Sequence, residues 1–245
     1  MRYFLRLSYN GAPYHGWQVQ PNAISVQSTI EEALSMVLRE SISIVGAGRT
    51  DTGVNARMMF AHFDYTGAIS DKCKLINSLN RLVGKNIAIY DIIDVPDDAH
   101  ARFDATSRTY KYFVTHEKSP FHYPFSWYCP QSLDYDKMNE ACEVLKRHID
   151  FTSFSKLHTD VKTNNCRIDY AHWKQEGEMM VFTITADRFL RNMVRAVVGT
   201  LVEVGRGKIS VEEFEQIILK KDRCSAGTSM PPQALFLWNV EYPYL

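Results

Sequence analysis

The chain has 245 residues, with 28 Lys and Arg against 28 Asp and Glu, so its formal net charge is zero and its pI about 7.1. That length suits one large domain or two small ones and is ample for a hydrophobic core. Apolar residues at 45% and charged residues at 23% exclude a disordered or fibrous chain, and the charge balance excludes a protein that coats nucleic acid through bulk basicity.

Residues 2–9 alternate polar and apolar and predict a strand. Residues 10–22 carry Gly11, Pro13, Gly16 and Pro21 and predict a loop, one with the aromatic cluster Tyr14, His15 and Trp17. Ile30, Ala33, Leu34 and Val37 stand at helical spacing within a helix expected over 25–40, with Ser28 and the following Glu31 or Glu32 as its start signal. A short strand at 42–45 leads into a Gly-rich turn. A strand at 58–65, a helix at 71–83 and a strand at 87–95 follow. This order is that of the ferredoxin-like split βαβ pattern.

A second series begins after the polar stretch 96–104. It comprises a strand at 109–114, a helix at 135–147, and strands at 167–173 and 179–186 around the turn Gln175-Glu176-Gly177-Glu178. A long helix at 189–204, a shorter one at 211–219 and a closing strand at 234–242 complete it. The expected fold is therefore α+β, with two similar ferredoxin-like α/β halves, 1–105 and 106–245, around a central cleft.

No apolar run approaches the roughly 18 residues of a membrane span, and the N-terminus has no apolar core of a signal peptide. The five cysteines, at 73, 129, 142, 166 and 224, show no C-x-x-C spacing. Reduced thiols in the cytoplasm are the expectation. There is no P-loop, no H-E-x-x-H and no zinc-deaminase signature, and the eight histidines are scattered, so no metal is proposed.

Two local features can carry chemistry. In Gly46-Ala47-Gly48-Arg49-Thr50-Asp51-Thr52-Gly53, Arg49 and Asp51 flank Thr50 and point the same way if the segment is extended. An aspartate held near guanidinium groups stays ionised and can serve as nucleophile or base. The same pattern also suits a polar turn with a structural ion pair. The second feature is aromatic and basic. Tyr110 and Tyr112 share a strand face between Arg108 and Lys111, an arrangement that can stack bases. Arg188, Arg191 and Arg195 fall at i, i+3 and i+7 of the expected long helix, and residues 181–210 hold five basic and two acidic side chains.

Several blocks together resemble the tRNA pseudouridine synthase A family. They are Ser8-Tyr9-Asn10-Gly11 through Gln20-Pro21-Asn22, then Gly48-Arg49-Thr50-Asp51-Thr52-Gly53-Val54, then Ser107-Arg108-Thr109-Tyr110-Lys111-Tyr112. Phe189-Leu190-Arg191-Asn192-Met193-Val194-Arg195 and the tail from Ala226-Gly227 to Leu235 complete the series. The resemblance implies that Asp51 is the catalytic aspartate, that Arg49 helps hold the flipped nucleotide and that Tyr110 stacks on the target base. Arg195 would pair with Asp51. It implies uridine isomerisation at positions 38–40 of the tRNA anticodon stem-loop by a homodimer, without cofactor or metal. Arg188 and Arg191 are expected to contact phosphates. Two positions depart from the family pattern: Asn55 stands where His is usual, and the tail reads Ala234-Leu235-Phe236-Leu237. Two other readings of the same features are a non-catalytic RNA-binding module and a nucleoside hydrolase.

Overall fold

The computed structural model describes residues 1–156 and 163–245. The protein is a mixed α+β chain, and among the described residues no helix is long and apolar enough to cross a membrane. It divides into two compact units, residues Met1–Thr106 with Leu237–Leu245, and residues Ser107–Phe236.

The first unit runs β1 (Arg2–Tyr9), α1 (Val26–Leu38), β2 (Ile44–Gly46), β3 (Asn55–Asp64), α2 (Lys72–Leu82) and β4 (Ile87–Val95). β1 lies between β4 and β3, antiparallel to both, and β2 pairs antiparallel with the C-terminal end of β3. The hydrophobic alternation of β1 underlies this placement. Tyr3, Leu5, Leu7 and Tyr9 are all buried, and Phe4, pointing the other way, is buried too. A strand with both faces covered belongs in the middle of a sheet.

α1 starts earlier than its Ser28 signal suggests. Ser25 is the N-cap: its hydroxyl accepts the Ser28 N–H, and Ser28 Oγ accepts the Ser25 N–H. The reciprocal bonds of a capping box are thus made by two serines instead of Ser and Glu. α2 begins after Asp71, whose side chain accepts from Lys74 N–H.

The sequence assigns the closing segment to the second half, but residues 237–245 cluster with the first unit. Aromatic packing explains this. The Tyr242 ring meets Phe4 and Phe60 edge-on, each at 5.3 Å, and its hydroxyl donates to the Ala101 carbonyl. Tyr244 packs on Phe4 and donates to Asp104.

Beside these rings, His62 is buried against His100, with ring centroids 4.6 Å apart. His62 Nδ1 accepts the Ala101 N–H, which requires that nitrogen to be unprotonated. Burial, with a smaller push from Arg2, lowers the His62 pKa from 6.5 to about 4. Burial also lowers that of His100. Asp64 and Asp104 pull the other way but do not reverse the shift. The unfolded chain therefore binds protons more readily than the folded one in this window, and stability falls as pH drops from about 6.5 towards 4. His62→Leu should flatten that part of the profile in urea unfolding measured at pH 7, 6 and 5. An unchanged slope would remove His62 as the cause.

The second unit holds β5 (Ser107–Thr115), β6 (Trp127–Tyr128), α3 (Tyr135–Leu145), β7 (Ile168–Glu176), β8 (Met179–Ala186), α4 (Met193–Gly205) and α5 (Val211–Lys220). β8 lies antiparallel between β5 and β7, and β6 pairs parallel with the end of β5. The last strand, β9 (Leu235–Glu241), begins at the end of this unit and reaches β3 in the first. The β7–β8 connection is shorter than expected, only Gly177 and Glu178, with Gly177 at φ 62. β6 has no counterpart in the sequence reading, since two residues carry no periodicity.

α4 is the apolar axis of the unit; Met193, Val194, Val197, Val198 and Leu201 are all buried. It begins at Met193 and not at 189, because Asn192 adopts a left-handed backbone at φ 64 that cannot lie within a right-handed helix. Arg188 and Arg191 thus precede the helix, and only Arg195 lies on it. The expected three-arginine helix face does not exist. All five cysteines carry free thiols, and burial pushes that of Cys166 up to about 12.

Candidate active site

Asp51 sits in the first unit, on the connection between β2 and β3. Thr50 is buried, Arg49 is exposed and Asp51 is half-buried. Thr50 Oγ1 shares a 2.8 Å hydrogen bond with the Tyr9 hydroxyl, and its carbonyl accepts the Trp17 N–H. The Asp51 carbonyl accepts the Val54 N–H, closing a turn in which Gly53 has φ 77. Of the three glycines in the motif, Gly53 alone has this left-handed backbone.

The 10–22 loop builds the wall behind this turn. Trp17 is buried, its ring 6.0 Å from that of Tyr9. A Cβ on Gly46 would lie 2.5 Å from the Trp17 ring. Gly16 has φ 86, and a Cβ there would lie 2.5 Å from the Thr50 carbonyl oxygen. Two of the three aromatics are therefore structural: Tyr14 and Trp17 are buried and are not surfaces for stacking a base, while His15 is exposed. Asn55 is also buried, and its Oδ1 accepts the Gly11 N–H at 2.9 Å. The departure from His thus leaves a side-chain acceptor joining the loop to the start of β3.

Tyr110, Arg188, Arg191 and Arg195 belong to the second unit. Tyr110 lies on β5 opposite Ile184 of β8. Its half-buried ring meets Phe189 edge-on, centroids 5.2 Å apart at 87°. Phe189 is a supporting residue that the sequence placed at the start of the expected long helix and within a matching block, without a role at the site. Tyr112 is not a second stacking platform. It is fully buried, and its hydroxyl donates to the Pro231 carbonyl at 3.1 Å. Burial raises its pKa well above the usual tyrosine value, opposed by the nearby Arg195 charge.

Arg195 is half-buried on the first turns of α4, and its Nε donates to the Met230 carbonyl at 2.6 Å. Asp187 organises the approach to that helix: its Oδ1 accepts the N–H groups of Arg167 and Arg188. Arg191 is exposed in the turn before Asn192. The basic stretch is weaker than the sequence suggests, since Arg206 and Lys208 both pair with Glu203, at 3.0 and 2.8 Å.

An α+β chain presents, on one unit, a braced Arg-Thr-Asp turn and, on the other, a supported tyrosine and an anchored arginine. A family model described as tRNA pseudouridine synthase matches residues 142–243. The tRNA pseudouridine synthase A of Parabacteroides distasonis is 60% identical over 242 residues, covering 99% of this chain and 96% of that relative. That of Bacteroides fragilis is 58% identical over 243 residues, with 99% and 96% covered. The more distant one of Caldicellulosiruptor bescii is 39% identical, with 97% and 98% covered. The chain belongs to the tRNA pseudouridine synthase A family.

Proposed function

We propose that this protein is an isomerase that converts uridine to pseudouridine in the anticodon stem-loop of tRNA, at positions 38–40, with Asp51 as its catalytic carboxylate. The observation that carries the reading is the near full-length similarity to tRNA pseudouridine synthase A proteins. The bracing of Asp51 from beneath, through Thr50, Tyr9 and Trp17, is consistent with it.

The reaction breaks the N1–C1′ bond, turns the uracil and joins C5 to C1′; no atoms are gained or lost. The target nucleotide must first leave the stack, at a cost of a few kcal/mol. Stacking on an aromatic ring returns roughly 1–3 kcal/mol per base. Tyr110, held by Phe189, takes that role, and Arg49 holds the flipped nucleotide. Asp51 works as the anion, whether it attacks C1′ or C6 or acts as base or charge stabiliser. Arg195 is its cationic partner. The C5 proton leaves last.

The reading extends to two ferredoxin-like halves, 1–106 with 237–245 and 107–236, around a cleft, assembled as a homodimer in the cytoplasm. Strand order β4-β1-β3-β2, antiparallel throughout, supports the first half. Mapping pseudouridine in tRNA from cells with and without the protein tests the substrate assignment. Loss at 38–40 is expected; unchanged modification there would refute it. Release of free uracil would favour a hydrolase instead.

Arg188 and Arg191 contact phosphates in this reading. The double change to Ala should weaken tRNA binding and flatten the slope of log K against log salt by about 1.5, the release of two phosphate contacts. A slope equal to that of the unaltered protein would remove both arginines from the interface.

A further inference from the structure

Residues 226–231 run along α4 as a strap. Gly227 N–H donates to Thr200 Oγ1 at 2.9 Å, and Met230 N–H donates to the Arg195 carbonyl at 3.1 Å. The approach is so close that a Cβ on Gly199 would lie 1.9 Å from the Thr228 carbonyl oxygen. Arg195 is gripped twice by one residue, since its Nε also donates to the Met230 carbonyl.

Ser229 is the latch of this strap. Its Oγ accepts from Asn192 Nδ2 at 2.6 Å and from Arg223 Nη2 at 3.1 Å, which uses both lone pairs of the hydroxyl. Arg223 Nη1 reaches the Gly227 carbonyl at 3.2 Å. The left-handed backbone at Asn192 marks the start of α4, so the residue that begins the helix also holds the strap to it.

We infer that Ser229, Asn192 and Arg223 are positioning residues for Arg195. They set the peptide of Met230, the Met230 carbonyl holds Nε, and a bonded Nε fixes the plane of the guanidinium. An arginine has a long flexible stem and a directional fork, so its partner sees a defined geometry only if the fork is held. The inference rests on the reading above that Arg195 serves the reaction.

The test uses the full chain and a tRNA transcript, with kcat, KM and melting temperature measured for each variant. Asn192→Gly keeps the left-handed backbone and removes only the amide. Ser229→Ala removes the latch, and Ser229→Thr keeps its hydroxyl. Asn192→Gly and Ser229→Ala should each lower kcat about tenfold with KM within about twofold, as for a group displaced by a fraction of an ångström. Ser229→Thr should restore kcat. Arg195→Ala is the reference and should lower kcat more than either. If it does so while Asn192→Gly and Ser229→Ala keep full kcat, the strap is not a positioning device and the role of Arg195 stands. If Ser229→Ala loses activity only in step with its folded fraction, and Ser229→Thr gives no rescue, the latch is merely structural and the inference falls. If Arg195→Ala keeps full kcat, the role of Arg195 falls and the inference with it.

Discussion

Asp51→Ala is expected to abolish pseudouridine formation, by at least about a thousandfold in kcat, while tRNA binding should stay within about threefold of the unaltered protein. The expected asymmetry has a physical basis. The side chain is half-buried at a turn, and removing it takes away one carboxylate but none of the Lys or Arg groups that attract phosphate. The turn itself survives, because its hydrogen bonds run through the main chain of Thr50, Asp51 and Val54 and through Thr50 Oγ1. Asp51→Asn separates charge from shape. It keeps the volume and loses the anion, so it should be as inactive as the alanine variant. Single-turnover conversion and filter binding on the same transcript measure both quantities. Conversion retained in either variant would take the reaction away from Asp51.

Trp17→Ala is the second large effect, and it acts on folding first. Trp17 is 2% exposed, and emptying a site of that size costs about 3–5 kcal/mol. Against a typical total of about 5–15 kcal/mol, that is a large fraction of the stability. The ring also fills the space over Gly46, beside Tyr9, whose hydroxyl holds Thr50. Once the ring is gone, Tyr9 has room to turn, and the Thr50–Asp51 turn loses its brace. The variant should show a lowered urea midpoint and, at temperatures where it remains folded, a kcat reduced by about tenfold or more. A folded variant with unchanged kcat would show that Trp17 supports stability alone.

Most of the elements were legible because burial imposes a period. The alternation of Arg2–Tyr9 and the apolar spacing of α3 and α5 are written in single residues, and those elements lie close to where the sequence places them. The start of α4 was not legible, for a related reason. Phe189 and Leu190 continue the helical spacing of Met193 and Val194, and Asn192 is polar but not a helix breaker by type. Only its observed left-handed backbone ends the pattern there. The tail misled in another way: a segment that follows the second series in the chain is held by Phe4 and Phe60, residues of the first.

Of the candidate site, the Arg49-Thr50-Asp51 motif and Tyr110 were visible as local words in the sequence, since their residue types and spacing stand together. Their supports were not. Trp17 stood in an expected loop and Asn55 stood out only as a departure from the family's His, yet they brace the turn through contacts with Gly46 and Gly11. The Tyr112 ring looked like a stacking surface and proved to be core. The sequence by itself determined the family and the α+β class and named the groups proposed to do the chemistry, because these depend on residue type and short-range order. The tertiary structure alone decided which of those groups are held and by what: the strap on Arg195, Phe189 against Tyr110, and the pairing of Arg206 and Lys208 with Glu203. Such contacts join residues by side-chain shape and hydrogen-bond geometry, and neither leaves a periodic trace along the chain.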